Sequence, residues 1–240
     1  MARMKVKAEG RLQSFREFQN RWARTLESIC LDIYNRNRDM IAIKKEKVAI
    51  RNIMRILEAV FALSREKGFH SMTLRDLSRK SGLSMGALYS YFSGKEDLRS
   101  MIRLEGVFYA KKVIAEQIAQ YSDPSDRLNA AIETHLYLSE MLKPWFYFNY
   151  MEAVNLPKAE KIEATENELA TEKIFIDILA DGVKAGVFER HDVELTAAAI
   201  KAMLQDWYLK PWKYKRKSIP VEKYADFVKS FVSTAISSHE

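Results

Sequence analysis

TLRDLSRKSGLSMGALYSYFSGKEDL, residues 73–98, describes two short helices around a glycine turn. Thr73 precedes Leu74, Arg75 and Asp76, so its hydroxyl can cap a helix whose first turn carries an acid. Ser81-Gly82-Leu83 supplies the turn, because Gly82 adopts a left-handed backbone without steric cost, and Ser84 can cap the next helix. At 100° per residue Leu88 and Phe92 share the inner side of that second helix, Met85 lies on its edge, and Gly86, Ala87 and Ser90 face outward between Tyr89 and Tyr91. An outer face this small lets a backbone approach the floor of a major groove, while flanking phenols reach phosphates on its walls. The spacing predicts a helix-turn-helix. The expected DNA contacts are Thr73, Arg75, Ser84, Met85, Gly86, Ala87, Tyr89, Ser90, Tyr91 and Lys95. A helical hairpin with a poorly filled surface has the same spacing and stands as the alternative at this level.

The distribution of charge weighs against the plain hairpin. Residues 1–100 hold 21 Lys/Arg against 11 Asp/Glu, whereas residues 101–240 hold 18 against 21, so the net +7 is concentrated in the front of the chain. A basic front suits a polyanion, and nucleic acid is favoured over a membrane surface.

Composition narrows the class further. The single cysteine, Cys30, cannot form an internal bridge, and four histidines without a Cys/His cluster give no zinc spacing. No metal and no cofactor are expected. No run of about 18 apolar residues is present, and MARMKVKAEGRLQ lacks the apolar stretch of a signal peptide, so a soluble protein of the cytoplasm is expected.

Outward from the opening stretch, apolar residues recur at three and four, and the expected class is all-α throughout. Phe15, Phe18, Trp22, Leu26, Ile29 and Ile33 form one amphipathic face, with Arg16, Arg21 and Arg24 off it. NRNRD, residues 35–39, breaks that helix before a second one buries Val48, Ile53, Ile56, Leu57, Val60 and Phe61 and ends at Gly68. A longer helix is expected to run to about Tyr121, followed by helices over roughly 125–142, 144–155, 158–185, 192–210 and 220–237. Trp212 and the run Lys213 to Lys217 read as a solvated connection.

Gly68-Phe69, Met72-Thr73, Leu77, Gly82-Leu83-Ser84, Gly86-Ala87-Leu88-Tyr89, Tyr91-Phe92 and Gly94-Lys95-Glu96-Asp97-Leu98 together resemble the TetR family of bacterial transcriptional regulators. The resemblance covers about 50 residues from Lys47. It implies an N-terminal helix-turn-helix DNA-binding domain over 45–98 and a C-terminal helical bundle for ligand binding and dimerisation over 99–240, and residues 1–44 ahead of it are read as a basic extension with an amphipathic helix. It further implies a homodimer on a palindromic double-stranded DNA operator, usually a repressor, released by a small-molecule effector. Ala87 stands where many members have threonine, and Ser78 where alanine is common.

More than 40 residues precede the first helix of the resemblance, an extension with 12 Lys/Arg and 6 Asp/Glu in residues 1–50. Its tail, through Arg3, Lys5, Lys7 and Arg11, is a candidate for added phosphate or minor-groove contacts. Its Phe15 to Ile33 stripe is expected to pack on its own domain or on a partner subunit.

In the back half, MLKPWFYFNYM, residues 141–151, has aromatics on all sides and should be surrounded by other helices. Met141, Trp145 and Phe148, with Phe108, His135, Tyr137 and Phe175, are the candidate walls of an effector pocket, and plain core packing is the competing reading. The effector is expected to be apolar or aromatic. Ile200, Met203, Leu204 and Trp207, with Tyr224, Phe227, Val228 and Phe231, form two stripes suited to an intermolecular four-helix bundle, and the alanines at 197–199 permit close approach. Intrachain packing of the same stripes is the alternative. An all-helical enzyme or an interaction module is the competing function, but no Glu-x-x-His pair, His-Glu-x-x-His, phosphate loop or nucleophile elbow is present. No enzyme activity and no membrane partner are expected.

Overall fold

Residues 14–22 and 26–237 are described by the computed structural model, and every regular element among them is a helix. In chain order these are α1 (Phe15–Trp22), α2 (Leu26–Arg36), α3 (Glu46–Lys67), α4 (Leu74–Ser81), α5 (Met85–Tyr89) and α6 (Lys95–Ile118). Then come α7 (Pro124–Met141), α8 (Lys143–Ala153), α9 (Lys158–Lys184), α10 (Val193–Leu209), α11 (Pro211–Arg216) and α12 (Val221–Ile236).

Local chemistry sets the boundaries. Gly68 ends α3 with φ 79°, a conformation that L side chains rarely adopt. Asp192 starts α10 by accepting from the backbone N–H groups of Glu194 and Leu195. Pro144 and Pro211 occupy the first turns of α8 and α11, where a missing N–H breaks no helical bond.

Two compact units emerge, and they interleave along the chain. Among the described residues the head comprises 26–112 and 142–172; the body comprises 14–22, 113–141 and 173–237. In the head, α3 packs against α2, α4 and α8. Phe61 meets Trp145 at 4.5 Å and Phe148 at 5.9 Å between ring centres, and Phe69 meets Phe148 at 5.3 Å. Edge-on pairs of this kind add about 0.5–1.5 kcal/mol each beyond the area they bury. Buried arginines on α6 face α9, with Arg99 3.1 Å from Glu160 and Arg103 2.8 Å from Glu163.

In the body, α7 is the centre and packs against α1, α10 and α12. Lys229 of α12 reaches Glu133 of α7 at 2.8 Å, and the Trp207 indole N–H donates to Glu140 at 2.8 Å.

The amphipathic stripe from Phe15 to Ile33 is divided between these units. Phe15 and Phe18 of α1 lie 5.3 and 5.4 Å from the ring of Tyr137 in the body, whereas Ile29, Cys30, Ile33 and Tyr34 of α2 are buried in the head. Packing within its own chain therefore accounts for the stripe. Arg3, Lys5, Lys7, Arg11 and Arg24 lie outside the described residues. The connection after Trp212 is a short helix, α11, with Trp212, Lys215, Arg216 and Lys217 exposed as expected and Tyr214 buried against Trp207.

Candidate nucleic-acid interface

The reading elements are α4 and α5. Thr73 accepts from the Asp76 backbone N–H at 3.1 Å while the Asp76 carboxylate accepts from the Thr73 N–H at 3.0 Å, a complete capping box at the start of α4. Asp76 also binds Lys67 at 2.6 Å and Arg79 at 2.8 Å. The hydrogen bond from Lys67, followed by those from Thr73, holds its carboxyl well below the usual carboxylate range. Gly82 turns the chain with φ 66°. Ser84 caps α5 by accepting from the Ala87 N–H at 3.2 Å. Leu77 and Leu88 are buried beneath the pair.

The outer face follows the sequence expectation for most residues. Arg75, Ser84 and Gly86 are exposed, Met85, Ala87 and Ser90 are partly so, and Tyr89 exposes 53% of its surface. Nothing lies within 4 Å of a methyl placed on Gly86, so a groove floor is free to approach there. The Ser90 hydroxyl donates to the Gly86 carbonyl at 3.2 Å and retains lone pairs to offer outward.

Two expected contacts are placed otherwise. Tyr91 is 1% exposed, and its hydroxyl accepts from the Asn52 amide at 2.9 Å. Burial raises its pKa. It positions the reading helix and has no open path to a phosphate. The preceding residue is tied to the segment after α2, where the Ala42 N–H donates to the Ser90 carbonyl at 2.8 Å. Lys95 donates to the His70 carbonyl at 2.6 Å and lies 5.0 Å from the Phe69 ring, a partial burial that lowers its pKa. Its ammonium ties α6 to the turn before α4 and does not project freely.

The expected pocket residues are divided between the units, with Phe108, Trp145 and Phe148 in the head and His135, Tyr137, Met141 and Phe175 in the body. Phe108 is 52% exposed on α6, covered on one face by the Arg36 guanidinium at 3.7 Å, and Arg36 itself pairs with Glu105 at 2.8 Å. Trp145 and Phe148 form the head core with Phe61. Phe175 is buried in the body, and Met141 is half-buried at the end of α7. His135 is buried, and desolvation, then the charge of Lys201, lowers its pKa to about 3. The imidazole is therefore neutral at ordinary pH and offers no charge to a ligand acid. Tyr137, raised in pKa by burial and then by nearby Glu133, is the one candidate lining the body cleft of about 460 Å³ between α7 and α12. Asp126, Glu133, Glu222, Asp226 and Lys229 make that cleft predominantly acidic.

The dimer stripes also divide. Ile200, Leu204, Trp207 and Val228 are buried inside the protomer, where α10 and α12 pack on α7. Met203 and Tyr224 are half-buried, with the Tyr224 hydroxyl donating to the Met203 carbonyl at 2.8 Å and its ring stacked on Trp207 at 5.2 Å. Phe227 and Phe231 alone among the eight are exposed, at 59% and 55%, with rings 6.0 Å apart. Leu195, Ala198, Ala199 and Ala202 of α10 are exposed as well.

Among the described residues no group of three or more His, Cys, Asp or Glu is placed to hold a metal, and no helix is long and apolar enough to cross a membrane.

A capped helix-turn-helix with a small, open outer face defines a protein that reads DNA through the major groove. Known proteins agree. Residues 56–101 match the family described as bacterial regulatory proteins, tetR family, and residues 121–210 match a tetracyclin repressor-like C-terminal domain. The HTH-type transcriptional repressor KstR2 of Mycobacterium tuberculosis is 25% identical over 151 residues, 61% of this chain and 74% of that protein. The solved structure of the ketosteroid regulator KstR2 from that organism superposes with a TM-score of 0.69 at 18% identity, covering 83% of this chain and all of the other. FadR of Bacillus subtilis in complex with stearoyl-CoA gives 0.60 at 19% identity, covering 75% and 97% of the two chains. AibR in complex with isovaleryl coenzyme A and operator DNA gives 0.66 at 16%, covering 77% and 97%. The chain belongs to the TetR family of DNA-binding transcriptional regulators and is not an enzyme.

Proposed function

We propose that the protein is a cytoplasmic homodimeric repressor, released from a palindromic operator by a largely apolar small molecule. The head, centred on residues 45–98, reads DNA through Thr73, Arg75, Ser84, Met85, Gly86, Ala87, Tyr89 and Ser90, and residues 99–240 bind effector and form the dimer. The observation that carries this reading is the open face of α5, from Ser84 to Ser90, held by its cap above a buried Leu88. The dimer reading is supported by the exposed stripe of Leu195, Ala198, Ala202, Phe227 and Phe231, whose apolar area is typical of a surface that becomes covered.

For the effector, the ligands named in the structures of FadR and AibR are both acyl thioesters of coenzyme A, which supports an acyl compound of that class here. To move most of the population off DNA, such a ligand must favour the DNA-incompetent state by about 10⁴-fold, or about 5.5 kcal/mol. The test adds a series of acyl-CoA thioesters, from short to long, to a preformed complex with an operator selected from a random duplex pool. Release by one length range is expected. An operator complex that survives saturating amounts of every thioester would remove the effector reading.

A further inference from the structure

The stretch between α2 and α3 is a folded element joined to the reading helix. Asn37 turns the chain: its carbonyl accepts from the N–H groups of Met40 and Ile41 at 3.0 and 2.9 Å, and its own N–H and side-chain amide donate to the Ile33 carbonyl at 3.1 and 2.8 Å. Ile41 is fully buried as the plug of this loop, and the Tyr34 hydroxyl donates to the Lys44 carbonyl at 3.3 Å. The Ala42 N–H then closes on Ser90, the residue that ends α5. Loop and reading helix are thereby fixed to each other by a backbone hydrogen bond.

What this loop exposes is basic. Between Arg36 and Arg51 the sequence holds six Lys/Arg and two Asp/Glu. Arg36 is engaged with Glu105, but Arg38, Lys44, Lys45 and Lys47 are exposed, and among the described residues the three lysines make no ion pair. Arg38 stands 5.5 Å from the ring centre of Tyr34.

We propose that the loop from Arg38 to Lys47 is a second DNA-contacting element, with Lys44 and Lys45 binding phosphates of the strand that flanks the reading helix beyond Ser90. The proposal rests on the operator-binding reading above. The occupant is duplex DNA because the basic surface is continuous with the groove-reading face, and a row of phosphates is the one polyanion already required there.

The test compares operator affinity across salt concentrations for the wild type, Lys44→Ala/Lys45→Ala and Lys44→Arg/Lys45→Arg. Each phosphate contact contributes roughly 0.9 to the slope of log K against log salt, so the alanine variant should lose roughly 1.8 from the slope. The arginine variant should keep the wild-type slope. Preference for operator over scrambled duplex should stay the same in all three, because phosphates carry no base identity. A wild-type slope retained by the alanine variant would overturn the proposal while leaving operator binding intact. A wild type that forms no operator complex at all would overturn the operator reading, and the loop proposal with it.

Discussion

Phe231→Ser tests the dimer surface with a magnitude that the structure supplies. Phe231 leaves 55% of its surface exposed in the protomer. A phenylalanine buries about 150–250 Å², so roughly 100 Å² of ring is left for a partner to cover. At about 25 cal/mol per Å² this is ~2.5 kcal/mol. A two-fold dimer carries the substitution in both chains, which brings the loss to about 5 kcal/mol, or between three and four decades in dissociation constant. Sedimentation equilibrium over a wide concentration range reads that constant directly, and circular dichroism confirms that the protomer keeps its helices. Leu204→Ala is the matched control: Leu204 is fully buried within the protomer, so this change should cost about 2–5 kcal/mol of folding stability. A Phe231→Ser protein that dimerises within threefold of the wild type would refute the assignment of this stripe to the interface.

Three other outcomes follow from individual residues. Gly86→Ala should raise thermal stability by roughly 1 kcal/mol, because Gly86 sits in α5 with open space beside it, yet it should weaken operator binding by filling the reading face; calorimetry and anisotropy on one preparation would show opposite signs, and equal operator affinity would count against groove entry at Gly86. Tyr91→Phe should cost about 1 kcal/mol by deleting the hydrogen bond with Asn52, while leaving the salt slope of DNA binding where it was; a slope smaller by about one contact would show instead that Tyr91 reaches a phosphate. Buried His135 has a pKa lowered to about 3 by desolvation, against 6.5 for the ordinary group. The unfolded chain therefore binds a proton that the folded chain refuses between these values, and stability present above about pH 6.5 is lost as pH falls toward 3. His135→Phe should flatten denaturation midpoints in that window, and an unchanged pH profile would argue that the imidazole is not buried.

Much of the head was legible because its signals are local. Thr73 with Asp76, Gly82 and Ser84 each act within three residues, so caps and turn could be read from spacing and appear in the structure as bonds of 3.0–3.2 Å and a left-handed glycine. Tyr91 turns inward to a partner on α3, Asn52, 39 residues earlier, and no helical wheel drawn on α5 contains it. Lys95 is similar: its partner is the carbonyl of His70. In α12 the neighbours Phe227 and Val228 point 100° apart, one exposed and one fully buried, so a stripe names the residues of an arc without saying where the protomer ends and a partner begins. The division of the Phe15 to Ile33 stripe is hidden for the same reason, since one periodicity serves two different units. The helix α11 is too short for a period to register, although Pro211 at its first turn is a local start signal.

The proposed function has α5 reading a palindrome in the major groove. Selection of bound duplexes from a random pool with the full-length protein, followed by hydroxyl-radical footprinting of the winner, tests it most directly. The expected winner is an inverted repeat, protected on two half-sites about one helical turn, or a small multiple of it, apart, and unprotected when Tyr89 and Ser84 are both replaced by alanine. Enrichment of no common sequence, with uniform protection that vanishes at moderate salt, would contradict it.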